Sequence, residues 1–237
     1  MPRQPRRFEI NGIYHVLKRG AEKRTIFLKP QDYSRFVLGL EFCNRPEHTN
    51  LWSLIAGSDP TKLKQRLANE RQRRQNKIVE LLAFCLMPNH FHLILREITK
   101  GGISLFMKKL GGYSTYFNNQ YERTGSLFQS RFKAITIKDD IQLSNTFVYV
   151  HTNPIELKEP KWKEEWKVEN EKRAIGWLEN YRWSSYLDCI GRPNFPNVIK
   201  NEFFLNFFNG EKGCQKAVED WIKFKARNAK FESSAAE

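Results

Sequence analysis

Apolar and polar residues alternate near the start of the chain in the way that a half-buried β-strand requires. The run GIYHVLK, residues 12–18, has this alternation and is rich in residues that favour strands. In residues 32–45 the pattern changes to apolar residues at helical spacing, behind Asp32 as a candidate helix cap. The two patterns predict a strand followed by a helix.

The centre of the chain contains a long run of residues that favour strands, at 78–98, with a break at Met87, Pro88 and Asn89. Because proline cannot donate a hydrogen bond within a sheet, we predict two strands joined at this point. We then expect a helix at 103–121, a strand-like return at 127–138 and a second helix at 139–153.

This order of elements predicts an α+β fold. Strand, helix, strand, strand, helix, strand, helix is typical of the ferredoxin-like, or split βαβ, antiparallel sheet with helices on one face. We expect a catalytic core at 1–155, with a turn-rich and then highly charged insertion at about 46–76. Residues 156–237 are expected to form a helical extension, of which the final FESSAAE lacks structure.

The chain is strongly basic. Its 237 residues include 40 Lys and Arg against 26 Asp and Glu, a net charge of +14. Such a surplus attracts polyanions, and nucleic acid is the first candidate partner. A membrane is disfavoured because no apolar run reaches about 18 residues, and the polar start does not resemble a secretory signal. We therefore expect a cytoplasmic protein, associated with the nucleoid when bound to DNA.

The four cysteines are scattered through the sequence, at Cys43, Cys85, Cys189 and Cys214. No C-x-x-C pair is present, so neither a zinc knuckle nor a disulfide framework is indicated. Buried structural positions are expected for all four.

The sharpest chemical signal is His90-Phe91-His92 within a predicted strand. Side chains alternate faces along a strand, so both imidazoles project from one face and Phe91 from the other. Two neutral imidazoles on one face form half of a divalent-metal site. A pair of half-buried, hydrogen-bonded histidines fits the same pattern.

A second constellation, Tyr149 and Asn153, lies at the end of a predicted helix just before Pro154. Residues four apart share one helical face, so a phenol and an amide oxygen could reach the same ion. The alternative is that Tyr149 packs and that Asn153 supports the turn. Spacing alone leaves both open.

Several motifs together resemble a known family. MPNHFHLIL, GSLFQSRFKA, YVHTNPI and YRWSSY, in this order, are similar to motifs of the single-tyrosine HUH transposases, in particular the REP-associated tyrosine transposases. The opening YHVLKRG and IFLKPQDYSRF are similar to that family's first strand and helix. The resemblance covers about residues 8–190; the insertion at 46–76 is longer than the family's usual connection, and the tail after about 195 has no counterpart.

The resemblance implies a function and a set of roles. Tyr149 corresponds to the nucleophile, His90 and His92 to the paired metal ligands, and Asn153 to the third ligand position. The implied activity is cleavage and rejoining of single-stranded DNA, beside a hairpin, through a 5′-phosphotyrosine. Mixed nitrogen and oxygen ligands with a phosphate suit Mg²⁺ or Mn²⁺.

We expect cationic side chains to contact the DNA, namely Arg19, Lys108, Lys109, Arg131 and Lys133. Arg131 and Lys133 lie beside Phe128 and Phe132 in the sequence. The alternative for this group is that both phenylalanines belong to the core and both charges are simply solvated. Two other classes remain open: a noncatalytic single-stranded nucleic-acid-binding protein and a structural or interaction protein. The sequence does not distinguish a monomer from a dimer.

Overall fold

The computed structural model describes residues 7–47, 50–55, 59–73, 76–160, 162 and 168–234. Its centre is one sheet of four strands, β1 (Ile13–Arg19), β2 (Val79–Met87), β3 (His90–Glu97) and β4 (Lys133–Ile137). The predicted β2–β3 hairpin is confirmed, with its turn at Pro88 and Asn89. The predicted return strand is shorter than expected, because residues 133–137 form the strand while Phe128 makes only an isolated bridge to Gly20.

The sheet has the strand order β2-β3-β1-β4, and the paired strands are antiparallel. This is the order of the split βαβ arrangement, so the expected α+β fold is confirmed. Its register aligns Leu17 of β1 with His92 of β3 and with Lys133 of β4. Residues directly opposite each other share a face, so this register decides which side chains meet.

Helices connect and follow the strands. In chain order they are α1 (Pro30–Phe42), α2 (Leu51–Ile55), α3 (Pro60–Arg73), α4 (Gly102–Leu110), α5 (Tyr113–Gln120), α6 (Asp140–Thr152), α7 (Glu171–Leu178), α8 (Tyr186–Cys189), α9 (Glu202–Phe207) and α10 (Glu211–Ser234). The helix expected at 103–121 is divided into α4 and α5 at Gly111 and Gly112, where the sequence indicated a weak point.

The two faces of the sheet are covered by different helices. Phe91 packs against Phe36 of α1, and both lie beside Met107 and Leu110 of α4. The opposite face carries His92, whose ring contacts Tyr149 of α6. The expectation of helices on one face therefore holds for α1, α4 and α5, whereas α6 covers the other side.

Local sequence explains where α1 and α6 begin. Pro30 is the first residue of α1, and the buried Asp32 carboxylate accepts hydrogen bonds from the backbone amides of Leu28 and Lys29. Asp32, the candidate cap, therefore lies inside the first turn of α1 rather than before the helix. At α6, Asp139 is the N-cap and accepts from the backbone amide of Gln142, an interaction that stabilises a helix by about 1 kcal/mol.

The insertion at 46–76 is tied to α1 through ion pairs. Arg71 of α3 binds the Glu41 carboxylate with two hydrogen bonds, and Arg45 lies 3.6 Å from Glu70. Arg71, in the highly charged part of the insertion, therefore has a carboxylate partner within the protein. Arg74 lies outside the described residues.

The C-terminal extension is continuous with the core. Its backbone extends the edge of β2, because the Leu86 amide donates to the Trp183 carbonyl and the Ser185 amide to the Phe84 carbonyl. Phe204 packs on Phe147 of α6, with ring centroids 4.5 Å apart. The tail expected to lack structure is helical as far as Ser234, and residues 235–237 lie outside the described range.

The cysteines occupy the structural positions that the sequence indicated. All four are buried and none is in a disulfide. Burial raises the pKa of Cys43 to about 11, so this thiol stays protonated at neutral pH.

Candidate active site

His90 and His92 are placed by the β2–β3 hairpin. Their side chains share one face of β3, as strand alternation predicted, and their ring centroids are 4.9 Å apart. Each histidine is 3% exposed. The pair is therefore held together in a largely water-excluded position rather than free on the surface.

Both imidazoles use their Nδ1 atoms in hydrogen bonds to protein groups. Nδ1 of His90 is 2.6 Å from Oδ1 of the adjacent Asn89, and Nδ1 of His92 is 2.8 Å from Nε2 of His15. Such hydrogen bonds orient metal-binding histidines and select their tautomers. The nitrogen that each residue could offer to a metal ion is therefore Nε2.

Tyr149 of α6 faces the same group of histidines. Its ring centroid is 5.4 Å from that of His92 and 5.8 Å from that of His15, in edge-on contacts. Tyr149 is nevertheless 39% exposed, so a large substrate can reach it. The structure thus brings together the tyrosine and the H-x-H pair, which are separated by more than fifty residues in the sequence.

The environment of Tyr149 favours a protonated phenol. Burial raises its pKa and the charge of Glu156 adds to the effect, whereas the charge of Arg19 and a hydrogen bond from Asn153 oppose it. Arg19 lies directly across from His90 in the β1–β3 register, on the histidine face. The predicted DNA contact Arg19 is therefore a cation beside the candidate nucleophile.

Asn153 is fully buried at the end of α6. Its Nδ2 donates to the backbone carbonyl of Tyr149 at 2.6 Å, which links this side chain to the same helix turn as the phenol. An amide donating through Nδ2 can still offer Oδ1 to a cation.

Nitrogen and oxygen donors in this arrangement fit a divalent ion of the Mg²⁺ or Mn²⁺ class, with other positions left to water or substrate. Within the described ranges, no cluster of three or more His, Cys, Asp or Glu side chains could hold a metal. A metal at this site would therefore depend on His90, His92, an amide oxygen and the substrate itself.

Three tyrosines in the segment that follows the histidine strand lie across the sheet from the histidines. Tyr113 of α5 donates its phenolic hydrogen to the Ile26 carbonyl, and both Tyr116 and Tyr121 donate to Asp32. Burial, together with the nearby Asp32 carboxylate, raises the pKa of Tyr121 to about 12. These phenols have structural roles around α1, away from the histidines.

The predicted DNA contacts fall into two groups. Lys133 is exposed and lies opposite Leu17 on the histidine face, and the exposed Arg131 precedes it. Lys108 and Lys109 belong to α4, on the other side of the sheet. Lys109 donates to the backbone carbonyls of residues 45, 46 and 47, so it anchors the start of the insertion. The structure does not bring these two lysines to the site.

His15 was missed by the sequence analysis. It lies in the first predicted strand, two residues before Leu17, and alternation alone would have placed it on the same face as Arg19. What the sequence could not supply was the register of β1 against β3. Burial lowers the pKa of His15 to about 4, so the imidazole is neutral at physiological pH.

A tyrosine on a helix, facing an H-x-H pair on an antiparallel sheet, defines a candidate tyrosine-nucleophile active site. Residues 54–153 match the family model described as "Transposase IS200 like". The match includes His90, His92, Tyr149 and Asn153.

A solved structure of a REP-associated tyrosine transposase bound to a REP hairpin is 14% identical, covers 84% of this chain and 90% of its own, and has a TM-score of 0.48. No curated protein matches the chain. Among the described residues, no helix is long and apolar enough to cross a membrane.

Proposed function

We propose that this protein cleaves and rejoins single-stranded DNA, with Tyr149 as the nucleophile. The observation that carries the proposal is the contact of the Tyr149 ring with His92, inside the segment that matches the transposase family model. An exposed phenol beside buried imidazoles and an arginine can meet a phosphodiester. The tyrosines of α5 cannot, since they lie on the other side of the sheet.

The reaction exchanges one phosphate ester for another. The Tyr149 oxygen forms a bond to phosphorus as the bond from phosphorus to the 3′-oxygen breaks, which leaves a 5′-phosphotyrosine and a 3′-hydroxyl. The phenolic proton is lost to solvent, and the leaving oxygen takes up a proton. Because the ester bond is retained, a second 3′-hydroxyl can reverse the step and join a strand without a nucleotide cofactor.

The residues around Tyr149 have distinct tasks in this proposal. Arg19 provides positive charge near the phenol and the incoming phosphate, which stabilises negative charge developing in the transition state. His90, His92 and Asn153 would hold a divalent ion. When bound, Mg²⁺ or Mn²⁺ would polarise the phosphate as a Lewis acid. Asn153 also keeps the last turn of α6 in place through its bond to the Tyr149 carbonyl.

The substrate proposed is single-stranded DNA next to a hairpin. The net charge of +14 favours a polyanion, and the exposed Lys133, at the start of β4, and Arg131 just before it add positive charge near the site. The hairpin and the REP-associated branch rest on the resemblance of the four sequence motifs. All four strands are described, and none has a Phe, Tyr or Trp on the histidine face. This face of the sheet therefore lacks the aromatic side chains on which a noncatalytic RNA-binding sheet stacks bases.

The decisive experiment is detection of a covalent adduct. The protein is incubated with a single-stranded oligonucleotide carrying a hairpin, labelled at either end, with Mn²⁺ or with a chelator. We expect a denaturant-resistant complex only with metal, retaining the label on the 3′ side of the break, and mapping by mass spectrometry to a peptide containing Tyr149. Binding without an adduct over a range of oligonucleotides would instead support the noncatalytic nucleic-acid-binding alternative.

A further inference from the structure

We propose that His15 is a positioning residue, which holds His92 in the tautomer and orientation that metal binding requires. This inference rests on the proposed function, because it assigns a role to His15 through the metal ligand His92. It also adds β1 to the parts of the chain that build the site, since the histidine pair itself lies entirely on β3.

The geometry that supports this role is a direct contact between two neighbouring strands. His15 lies opposite Ile94, and His92 opposite Leu17, so the two histidines are diagonal neighbours on the same face. Their Nε2 and Nδ1 atoms are 2.8 Å apart, and their rings are nearly coplanar, with an interplanar angle of 21° and centroids separated by 5.1 Å. His15 is 7% exposed, so water has little access to replace this hydrogen bond.

Imidazole chemistry then fixes the direction of the hydrogen bond. A neutral histidine that binds a cation through Nε2 must carry its proton on Nδ1. Nδ1 of His92 is therefore the donor, and Nε2 of His15 is the acceptor. An apolar residue at position 15 would leave the buried Nδ1–H of His92 without this acceptor and would allow its ring to rotate.

The same imidazole also contacts the candidate nucleophile. The rings of His15 and Tyr149 meet edge-on, with centroids 5.8 Å apart and an interplanar angle of 75°. His15 thus lies between the strand that supplies the ligands and the helix that supplies the phenol. A residue in this place can set the position of both relative to one phosphate.

Metal affinity, measured without DNA, separates positioning from loss of fold. Mn²⁺ binding would be followed by calorimetry and by electron paramagnetic resonance in wild type, His15→Leu, His15→Gln and His92→Ala. Gln places an acceptor oxygen close to the position of Nε2, whereas Leu has none. We expect about 10- to 100-fold weaker binding in His15→Leu and substantial recovery in His15→Gln.

Tyr14→Phe is the matched control. Tyr14 is the neighbouring residue on β1, points to the opposite face, and accepts a hydrogen bond from the Glu9 amide through its phenol. Removing this oxygen perturbs the same strand without approaching the histidines, and Mn²⁺ affinity should remain that of wild type. An equal loss in Tyr14→Phe and His15→Leu would overturn the positioning role.

The tautomer can be read directly by ¹⁵N nuclear magnetic resonance of the histidine rings. In wild type, we expect the ring proton of His92 on Nδ1 and an unprotonated Nε2 on His15. A His92 proton on Nε2, or wild-type Mn²⁺ affinity in His15→Leu, would overturn the inference about His15 alone. Absence of Mn²⁺ binding in wild type would overturn the proposed metal site itself.

Discussion

The ring of Tyr149 meets the imidazole of His92 edge-on, with centroids 5.4 Å apart and an interplanar angle of 87°. Tyr149 is on α6 and His92 on β3, so this contact depends on how the helix packs on the sheet. The partly exposed phenol of Tyr149 therefore lies beside the buried imidazole of His92.

Tyr149→Phe should eliminate the covalent adduct while preserving the protein's fold and its affinity for single-stranded DNA. Only the phenolic oxygen is removed, and the ring contacts with His15 and His92 remain. Adduct formation would be measured on denaturing gels. Tyr116→Phe is the matched control: it loses a hydrogen bond to Asp32 on the other side of the sheet and should still form the adduct. An adduct in Tyr149→Phe would mean that another residue is the nucleophile.

Replacing both His90 and His92 by Ala should abolish cleavage but leave most of the nonspecific DNA affinity. The imidazoles supply the proposed metal donors, whereas nonspecific affinity arises from phosphate contacts of Lys and Arg. Cleavage rates and fluorescence anisotropy would be measured on the same preparation with Mn²⁺. Cleavage at the wild-type rate would contradict the metal assignment.

Asn153→Ala should have a smaller effect that excess metal partly reverses. Water can replace a neutral oxygen ligand, so cleavage at high Mn²⁺ should approach the wild-type rate more closely than at low Mn²⁺. Loss of the hydrogen bond to the Tyr149 carbonyl should also lower the free energy of unfolding by about 1 kcal/mol. A cleavage defect that does not depend on metal concentration would leave Asn153 with the structural role only.

Lys133→Gln and Lys108→Gln form a matched pair of exposed lysines on opposite sides of the sheet. If Lys133 contacts a phosphate, its loss should flatten the dependence of log affinity on log salt by about 0.7 for a single strand. The slope for Lys108→Gln reports whether DNA also reaches α4, as the sequence suggested. An unchanged slope in both variants would place the DNA contacts elsewhere.

Acid should destabilise the protein in part through His151. This histidine is fully buried against Ser185, with 2.9 Å between Nε2 and Oγ, and burial lowers its pKa to about 3. Between its ordinary pKa of 6.5 and about 3, the unfolded chain binds a proton that the folded protein does not. The free energy of unfolding therefore falls as pH falls through this window, by up to about 1.4 kcal/mol per pH unit.

Urea unfolding between pH 4 and pH 7.5 would measure this contribution. His151→Gln should have a flatter pH dependence than wild type, although part of the slope should persist because burial also lowers the pKa of His15 to about 4. Identical slopes in wild type and His151→Gln would show that His151 does not titrate differently on unfolding.

Much of the site could be predicted from local sequence. The β2–β3 hairpin follows from an apolar run broken at Pro88, and the common face of His90 and His92 follows from strand alternation. The four-residue spacing of Tyr149 and Asn153 places them on adjacent helical turns, and in the structure the Asn153 side chain donates a hydrogen bond to the Tyr149 carbonyl. Each of these relationships is set within a few residues of chain, so spacing is enough to determine it.

Tertiary structure decided the rest. Spacing shows which residues share a face, but not which helix covers that face or which residue lies opposite on the next strand. The register of β1 against β3 brought His15 to His92 and placed Arg19 across from His90. The packing of α4 on the other face separated Lys109 from the site. Sequence determined the chemistry that each element can offer, and long-range strand pairing and packing determined which of those groups meet.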